Sequence, residues 1–217
     1  MKASQKEFTI AAALIAAFIL WTAALFHADV QPIGPEGSAV GLAALNSAFH
    51  HLTGVHMDLY TLTDWLGLVP VGIALGFALL GLCQWIRRRR LLRVDRSILV
   101  LGGFYLLVIA SYLFFEGFVV NCRPVLIGGR PEPSYPSSTT LLTLCVVPTA
   151  ILQLRGRIRH NAARRWTIAA LSLFGAFMVV ARLLSGVHWL TDILGGALLS
   201  GGLVLLYCAV CRTVHRQ

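Results

Sequence analysis

RLLSGVHWLTDILGGALLSGGLVLLYCAV, residues 182–210, decides the fold. From Ile193 to Val210 the stretch carries no charge. About 20 such residues in a helix cross the hydrocarbon core of a bilayer. Trp189–Val210 is therefore read as a membrane span. Five more apolar blocks of similar length precede it: Phe8–Phe26, Leu66–Ile86, Ile98–Phe115, Thr139–Leu154 and Trp166–Leu184. The fourth is the shortest and contains Pro148, which neighbouring helices in a bundle make tolerable. The chain is 57% hydrophobic and 12% charged, with mean hydropathy +0.76. A soluble domain carries about twice that charge. The expected fold class is all-α: a polytopic helical bundle of six transmembrane helices, forming one domain over residues 1–217.

Met1–Ala28 shares the layout of a signal peptide, with Lys2 and Lys6 before an apolar stretch and small residues after it. The apolar stretch is longer than a signal core, which favours a retained anchor helix.

The net charge of +9 invites a nucleic-acid role, but position argues against one. Lys2 and Lys6 precede span one. Arg87, Arg88, Arg89, Arg90, Arg93 and Arg96 separate spans two and three. Arg155, Arg157, Arg159, Arg164 and Arg165 separate spans four and five, and Arg212 and Arg216 follow span six. Fifteen of eighteen basic residues thus fall on one side of a six-span chain. The positive-inside rule makes that side cytoplasmic, with both termini inside. Topology and anionic lipid headgroups account for these clusters without nucleic acid. Arg123, Arg130 and Arg182 fall outside, where that rule does not explain them.

Cysteine says little about compartment. Cys122 is the one thiol clearly outside the spans, without an evident partner. Cys208-x-x-Cys211 has metal-like spacing but sits on span six, where packing explains it. No metal and no cofactor is expected. Whether the chain acts alone or as a homodimer is left open.

Three segments lie on the outer side. In the first, Asp29–Asp64, Pro32, Gly34, Pro35 and Gly37 make an irregular start. Ser38 is expected to cap a helix ending near Leu52, with Gly54 as its stop. Val40, Leu42, Leu45 and Phe49 give it an apolar side, which suits an interfacial helix beside a lipid entrance. His50, His51 and His56 also lie here; interfacial packing and solvation account for them, with an acid or metal-ligand role as the alternative. Tyr60 and Trp65 are placed in the aromatic belt before span two. The second segment, Glu116–Ser138, is rich in Pro, Gly and Ser and reads as a loop. Ser137 or Ser138 is expected to cap span four, whose N-terminus offers free N–H groups to an anion. The third, Leu184–His188, is minimal, and Ser185 is expected to cap span six. Gly195, Gly196, Ser200, Gly201 and Gly202 on that span permit close helix approach.

The outer charges and His188 suggest chemistry. His188 and Asp192 are four apart on one helical face. A carboxylate so placed holds one ring nitrogen protonated and leaves the other free to attack. Arg182 at the outer end of span five is costly without an anionic partner. With Arg123 it supplies two guanidinium forks, which suit phosphate oxygens. Ser137, Ser138 and Thr139 add hydroxyl and backbone donors. The sum is a cradle for phosphoryl transfer with a nitrogen nucleophile.

Arg182-x5-His188-x3-Asp192 resembles the last motif of the type 2 phosphatidic acid phosphatase and vanadium haloperoxidase superfamily, S-R-x5-H-x3-D, with Ala181 in place of Ser. Arg123-Pro124 resembles the end of its first motif, K-x6-R-P. Pro136-Ser137-Ser138-Thr139 resembles its middle motif, P-S-G-H. The resemblance covers residues 98–210, and the six-span layout is similar to the membrane branch. It implies that His188 is a nucleophile forming a phosphohistidine, oriented by Asp192. It implies phosphate binding by Arg123, Arg182 and Ser137, assisted by the Ser138 amide.

Two positions depart from the pattern. Glu116 stands where the family has Lys, and is placed to pair with Arg123 or Arg130 instead. Thr139 stands where the family has the His that protonates the leaving group, a contribution of about 10²–10⁴ in rate. An alcohol leaving group needs that proton more than a phosphate does. The expected function is therefore hydrolysis of a lipid phosphate, with a polyprenyl diphosphate favoured, at the extracytoplasmic face of the cell membrane (plasma or bacterial inner). The alternatives are a family member that binds, senses or transports a phospholipid without hydrolysis, and a lipid phosphotransferase. His50, His51 or His56 replacing the missing acid is a rival account of Thr139.

Overall fold

The computed structural model describes residues 2–214. Met1 and Arg216, counted above in the N-terminal segment and the basic flank, lie outside the described residues, as does the side chain of Lys2. The described residues form eight α-helices: α1 Lys2–His27, α2 Ala43–Thr53, α3 Met57–Leu66, α4 Leu68–Arg88, α5 Arg96–Gly117, α6 Ser138–Arg157, α7 Asn161–Leu184 and α8 Leu190–Val214. Among the described residues six helical runs are long and apolar enough to cross a membrane, with α3 and α4 counted as one run. The all-α, six-span expectation holds, and each span overlaps its apolar block.

The core axis is α8. α1 packs along it, with α6 and α5 on its other sides. Small residues make this possible. A β-carbon at Gly202 would stand 2.7 Å from Ile15 Cγ1 of α1. Ser4 near the start of α1 bonds the Ala209 carbonyl at 3.3 Å and Thr213 Oγ1 at 3.2 Å on α8. Glu7 pairs with Arg212 at 3.0 Å, and Arg96 donates to the Val214 carbonyl at 3.4 Å. The start of α1 and the end of α8 thus share one end of the bundle with the arginine clusters. Arg123, Arg182 and His188 gather at the other end.

The first outer segment departs from expectation in two ways. The interfacial helix starts at Ala43, not after Ser38. Ser38 instead closes a turn with Pro35, and Gln31 bridges to Val40. Asp29 is the true cap: its carboxylate accepts from the Ala44 amide at 2.7 Å and its carbonyl from the Ala43 amide at 2.9 Å. A cap fourteen residues upstream leaves no local signature. Gly54 ends the helix as expected, at φ 67° with its amide on the His50 carbonyl. Second, Met57–Leu66, to which the sequence reading assigned no element, is helical and packs on α7.

Candidate active site

The site forms where α3, the α5–α6 loop, the first turn of α6, the end of α7 and the start of α8 meet. Within the loop, Gly128 and Gly129 take positive φ and let the chain double back. Cys122 then faces Pro133, and the Arg123 amide donates to the Glu132 carbonyl at 2.9 Å. The loop is anchored by Asn121, whose carbonyl accepts from the Ser134 amide and hydroxyl at 3.0 and 3.1 Å. Tyr135 lies against Gly195 of α8, where an added β-carbon would stand 2.4 Å from its ring.

The turn Leu184–Trp189 works differently from the sequence reading. Ser185 does not cap α8; its hydroxyl donates back to the Arg182 carbonyl at 2.7 Å and closes α7. The cap of α8 is Asp192, which accepts the Trp189 amide at 2.9 Å from the third helical position. This reciprocal half of a capping box fixes the carboxylate beside His188. Gly186 takes φ 67° and sits so close to Gly54 that a β-carbon would meet its carbonyl oxygen at 1.9 Å. Asn46 of α2 secures the same corner, donating to Thr191 Oγ1 at 3.0 Å and accepting from the Thr191 amide at 3.2 Å.

The result is a polar cavity of about 370 Å³ lined by Arg123, Arg182, His188, Ser138 and Thr139, with Asp64, Glu116 and Glu132 among its other walls. Ser137 and Asp192 are fully buried and do not line it. The Ser137 amide donates to the Asp192 carbonyl at 3.1 Å, and its hydroxyl makes no hydrogen bond; it takes the N-cap position of α6 without a side-chain cap.

His188 is 3% exposed. Its Nδ1 stands 3.6 Å from Asp192 Oδ2, and its Nε2 accepts from Arg123 Nη1 at 3.1 Å. This arrangement places the ring proton on Nδ1 and the lone pair on Nε2. Burial, then the Arg123 and Arg182 charges, hold the imidazole well below its ordinary protonation range. Asp192 is steadied from the far side by Asn121 Nδ2 at 3.4 Å.

Arg123 Nε lies 3.1 Å from Glu132 Oε2, an ion pair too poorly aligned to be a hydrogen bond. Glu116 therefore does not take the role expected of it: the partner of Arg123 is Glu132, directly across the doubled-back loop. Arg130 is exposed at the turn. Arg182 is 1% exposed and donates to Thr63 Oγ1 at 3.1 Å and the Tyr60 carbonyl at 3.4 Å, with Asp64 at 3.8 Å. Tyr60, Thr63 and Asp64 share one face of α3, a signal legible in the sequence only once Met57–Leu66 is known to be a helix. Asn46, Asn121 and Glu132 had no motif to announce them.

None of His50, His51 and His56 lines the cavity. His50 faces the Gly186 carbonyl at 3.2 Å and packs on Trp189, and His56 faces the Thr53 carbonyl. Among the described residues no His, Cys, Asp or Glu cluster could hold a metal ion. The five cysteines are free.

The family model of the PAP2 superfamily matches residues 104–216, more than half of the chain and the whole of the loop, α6, α7 and the His188 turn. The chain belongs to the PAP2 superfamily. The comparison with curated proteins returns no match. Among solved structures, the chain is similar to the crystal structure of the first transmembrane PAP2 type phosphatidylglycerolphosphate phosphatase from Bacillus subtilis. The TM-score is 0.53 at 20% identity, over 95% of this chain and 97% of that one. The shared PAP2 fold therefore extends through α1–α4, ahead of the family match.

Proposed function

We propose that this PAP2 protein is a membrane lipid phosphatase that works through a phosphohistidine at His188, with a lipid diphosphate as favoured substrate. The observation that carries this reading is the convergence of Arg123, Arg182 and His188 on one cavity, with Asp192 behind the ring. The family membership and the likeness to a membrane phosphatase support it.

In the proposed reaction the Nε2 lone pair of His188 attacks the terminal phosphorus, and the bond to the bridging oxygen breaks. Arg123 and Arg182 balance the charge on the phosphoryl oxygens. Asp192 steadies the imidazolium that forms. Water then cleaves the N–P bond, releasing inorganic phosphate and restoring the ring. Thr139 lies in the cavity wall where a leaving-group acid is wanted and cannot act as one near neutral pH. A departing phosphate tolerates that lack better than an alkoxide does, which favours a diphosphate such as a polyprenyl diphosphate. Phe115 lines both this cavity and an aromatic groove between α1 and α5 formed with Phe18, Phe26, Phe114 and Phe118, a surface fit for a hydrocarbon chain. The basic clusters gather at the opposite end, which by the positive-inside rule supports a site on the extracytoplasmic face.

Phosphate release by the purified protein from a panel of lipid mono- and diphosphates, with His188→Ala as control, tests the reading. Diphosphates are expected to turn over faster; equal rates on both classes remove the diphosphate preference. Absence of His188-linked phosphate would favour a non-hydrolytic lipid binder, for which the Glu116 and Thr139 departures speak. Transfer of the trapped phosphate to a lipid rather than water would make it a phosphotransferase.

A further inference from the structure

Tyr60 has no part in the chemistry above, and the sequence placed it in the aromatic belt before span two. Its position is different. The Cζ of Arg182 lies 4.6 Å from the centroid of its ring, and the Cζ of Arg123 lies 5.9 Å from the same centroid. Among the described residues it is the one ring that carries a guanidinium, and it carries two. The two arginines come from distant parts of the chain, one from the α5–α6 loop and one from the last turn of α7.

The arginines need such a partner. Arg182 is 1% exposed, its Nε makes no hydrogen bond, and its nearest carboxylate, Asp64, stands at 3.8 Å with a side chain 63% exposed. A long pair with a solvated acid compensates a buried cation poorly. Arg123 has one poorly aligned contact with Glu132 and one hydrogen bond to His188. Two like charges in one cavity repel. The negative face of an aromatic ring attracts both without competing for the forks that must meet phosphate. Tyr60 is fixed for this task, since its own carbonyl accepts from Arg182 Nη1 at 3.4 Å and Thr63, one turn on, accepts from the same nitrogen. Its hydroxyl makes no hydrogen bond among the described residues, so the ring face is the working part.

We propose that Tyr60 is a positioning residue of the phosphate site, its ring ordering the guanidiniums of Arg123 and Arg182 so that both engage the phosphates of one substrate. This rests on the reading that those arginines bind phosphate.

The test uses the full-length protein in lipid–detergent micelles, with inhibition by orthovanadate and by inorganic phosphate as the readout alongside KM and kcat. Tyr60→Phe is expected to stay within about twofold of the wild type in every constant, and Tyr60→Trp to match or improve it. Tyr60→Leu is expected to weaken both anions about tenfold and to raise KM. Fluorinated phenylalanines at position 60 preserve shape while draining the ring face of charge, so inhibition is expected to weaken stepwise with each fluorine. A flat fluorine series, or equal losses in the Phe and Leu variants, overturns the proposal, because either result assigns the effect to packing or to the hydroxyl. Arg123→Ala and Arg182→Ala separate the two layers. If they leave anion inhibition unchanged, the phosphate reading itself fails and this inference with it. If they abolish inhibition while the Tyr60 series is flat, only the role of Tyr60 is refuted.

Discussion

In the proposed mechanism Asp192→Asn separates the support Asp192 gives the His188 nucleophile from phosphate binding. The carboxylate faces His188 Nδ1 at 3.6 Å, accepts the Trp189 amide at 2.9 Å and accepts from Asn121 at 3.4 Å. Asparagine keeps the shape and one acceptor for the Trp189 amide, so the start of α8 is retained. It removes the negative charge that stabilises the imidazolium formed during attack. At 3.6 Å and an effective dielectric of about 20, that attraction is about 4–5 kcal/mol. At about 1.4 kcal/mol per tenfold in rate, its loss slows the chemical step by about 10³. The same oxygen that accepts the Trp189 amide also faces Nδ1, so it leaves the ring tautomer as it is, and the new NH₂ group falls opposite Asn121 Nδ2. The expected result is kcat down about 10³ with KM and vanadate inhibition nearly unchanged, because Arg123 and Arg182 are untouched. Phosphate release from a short-chain diphosphate measures this, with a thermal melt to confirm folding. A kcat within tenfold of the wild type refutes the orienting role of Asp192.

In the proposed reaction the neutral imidazole attacks, and burial first and then Arg123 and Arg182 lower its protonation range. Activity is therefore lost only as pH falls through a value below the ordinary 6.5, and Arg123→Gln should move this acid limb of kcat/KM upward while lowering the rate; a wild-type limb at or above 6.5 contradicts the assignment. Thr139→His restores an acid beside the leaving group and should raise turnover of lipid monophosphates up to about 10²-fold, with a smaller gain on diphosphates, measured by phosphate release. Gly195→Ala drives a β-carbon to 2.4 Å from the Tyr135 ring, so a loss of about 1–3 kcal/mol in stability is expected by thermal melt in detergent, together with lower activity as the loop carrying Arg123 shifts.

The bundle was legible because a bilayer imposes a simple requirement: long uncharged runs and internally satisfied backbone. The block Ile98–Phe115 could hardly be anything but a span, and α5 covers it from Arg96 to Gly117. The ends of the elements were less legible. Ser38 and Ser185 have the right chemistry for caps, yet Asp29 and Asp192 perform the capping, because a cap is chosen by which acceptor reaches the free amides in space. Met57–Leu66 was missed as a helix because Asp58 and Asp64 interrupt its apolar character while its packing on α7 rewards it.

Sequence by itself determined the spans, the segregation of fifteen basic residues to one side, and the pairing of His188 with Asp192, since four residues on a helix are one turn whatever surrounds them. It also singled out Arg123 and Arg182 as charges the membrane rule leaves unexplained. Only tertiary structure decided what those arginines touch. Arg123 meets Glu132 rather than Glu116 because two glycines fold the loop back on itself, and Arg182 meets Tyr60, Thr63 and Asp64 because α3 docks on α7. The Arg182 contacts join residues more than a hundred positions apart, and their geometry is fixed by helix packing rather than by any local pattern in the chain.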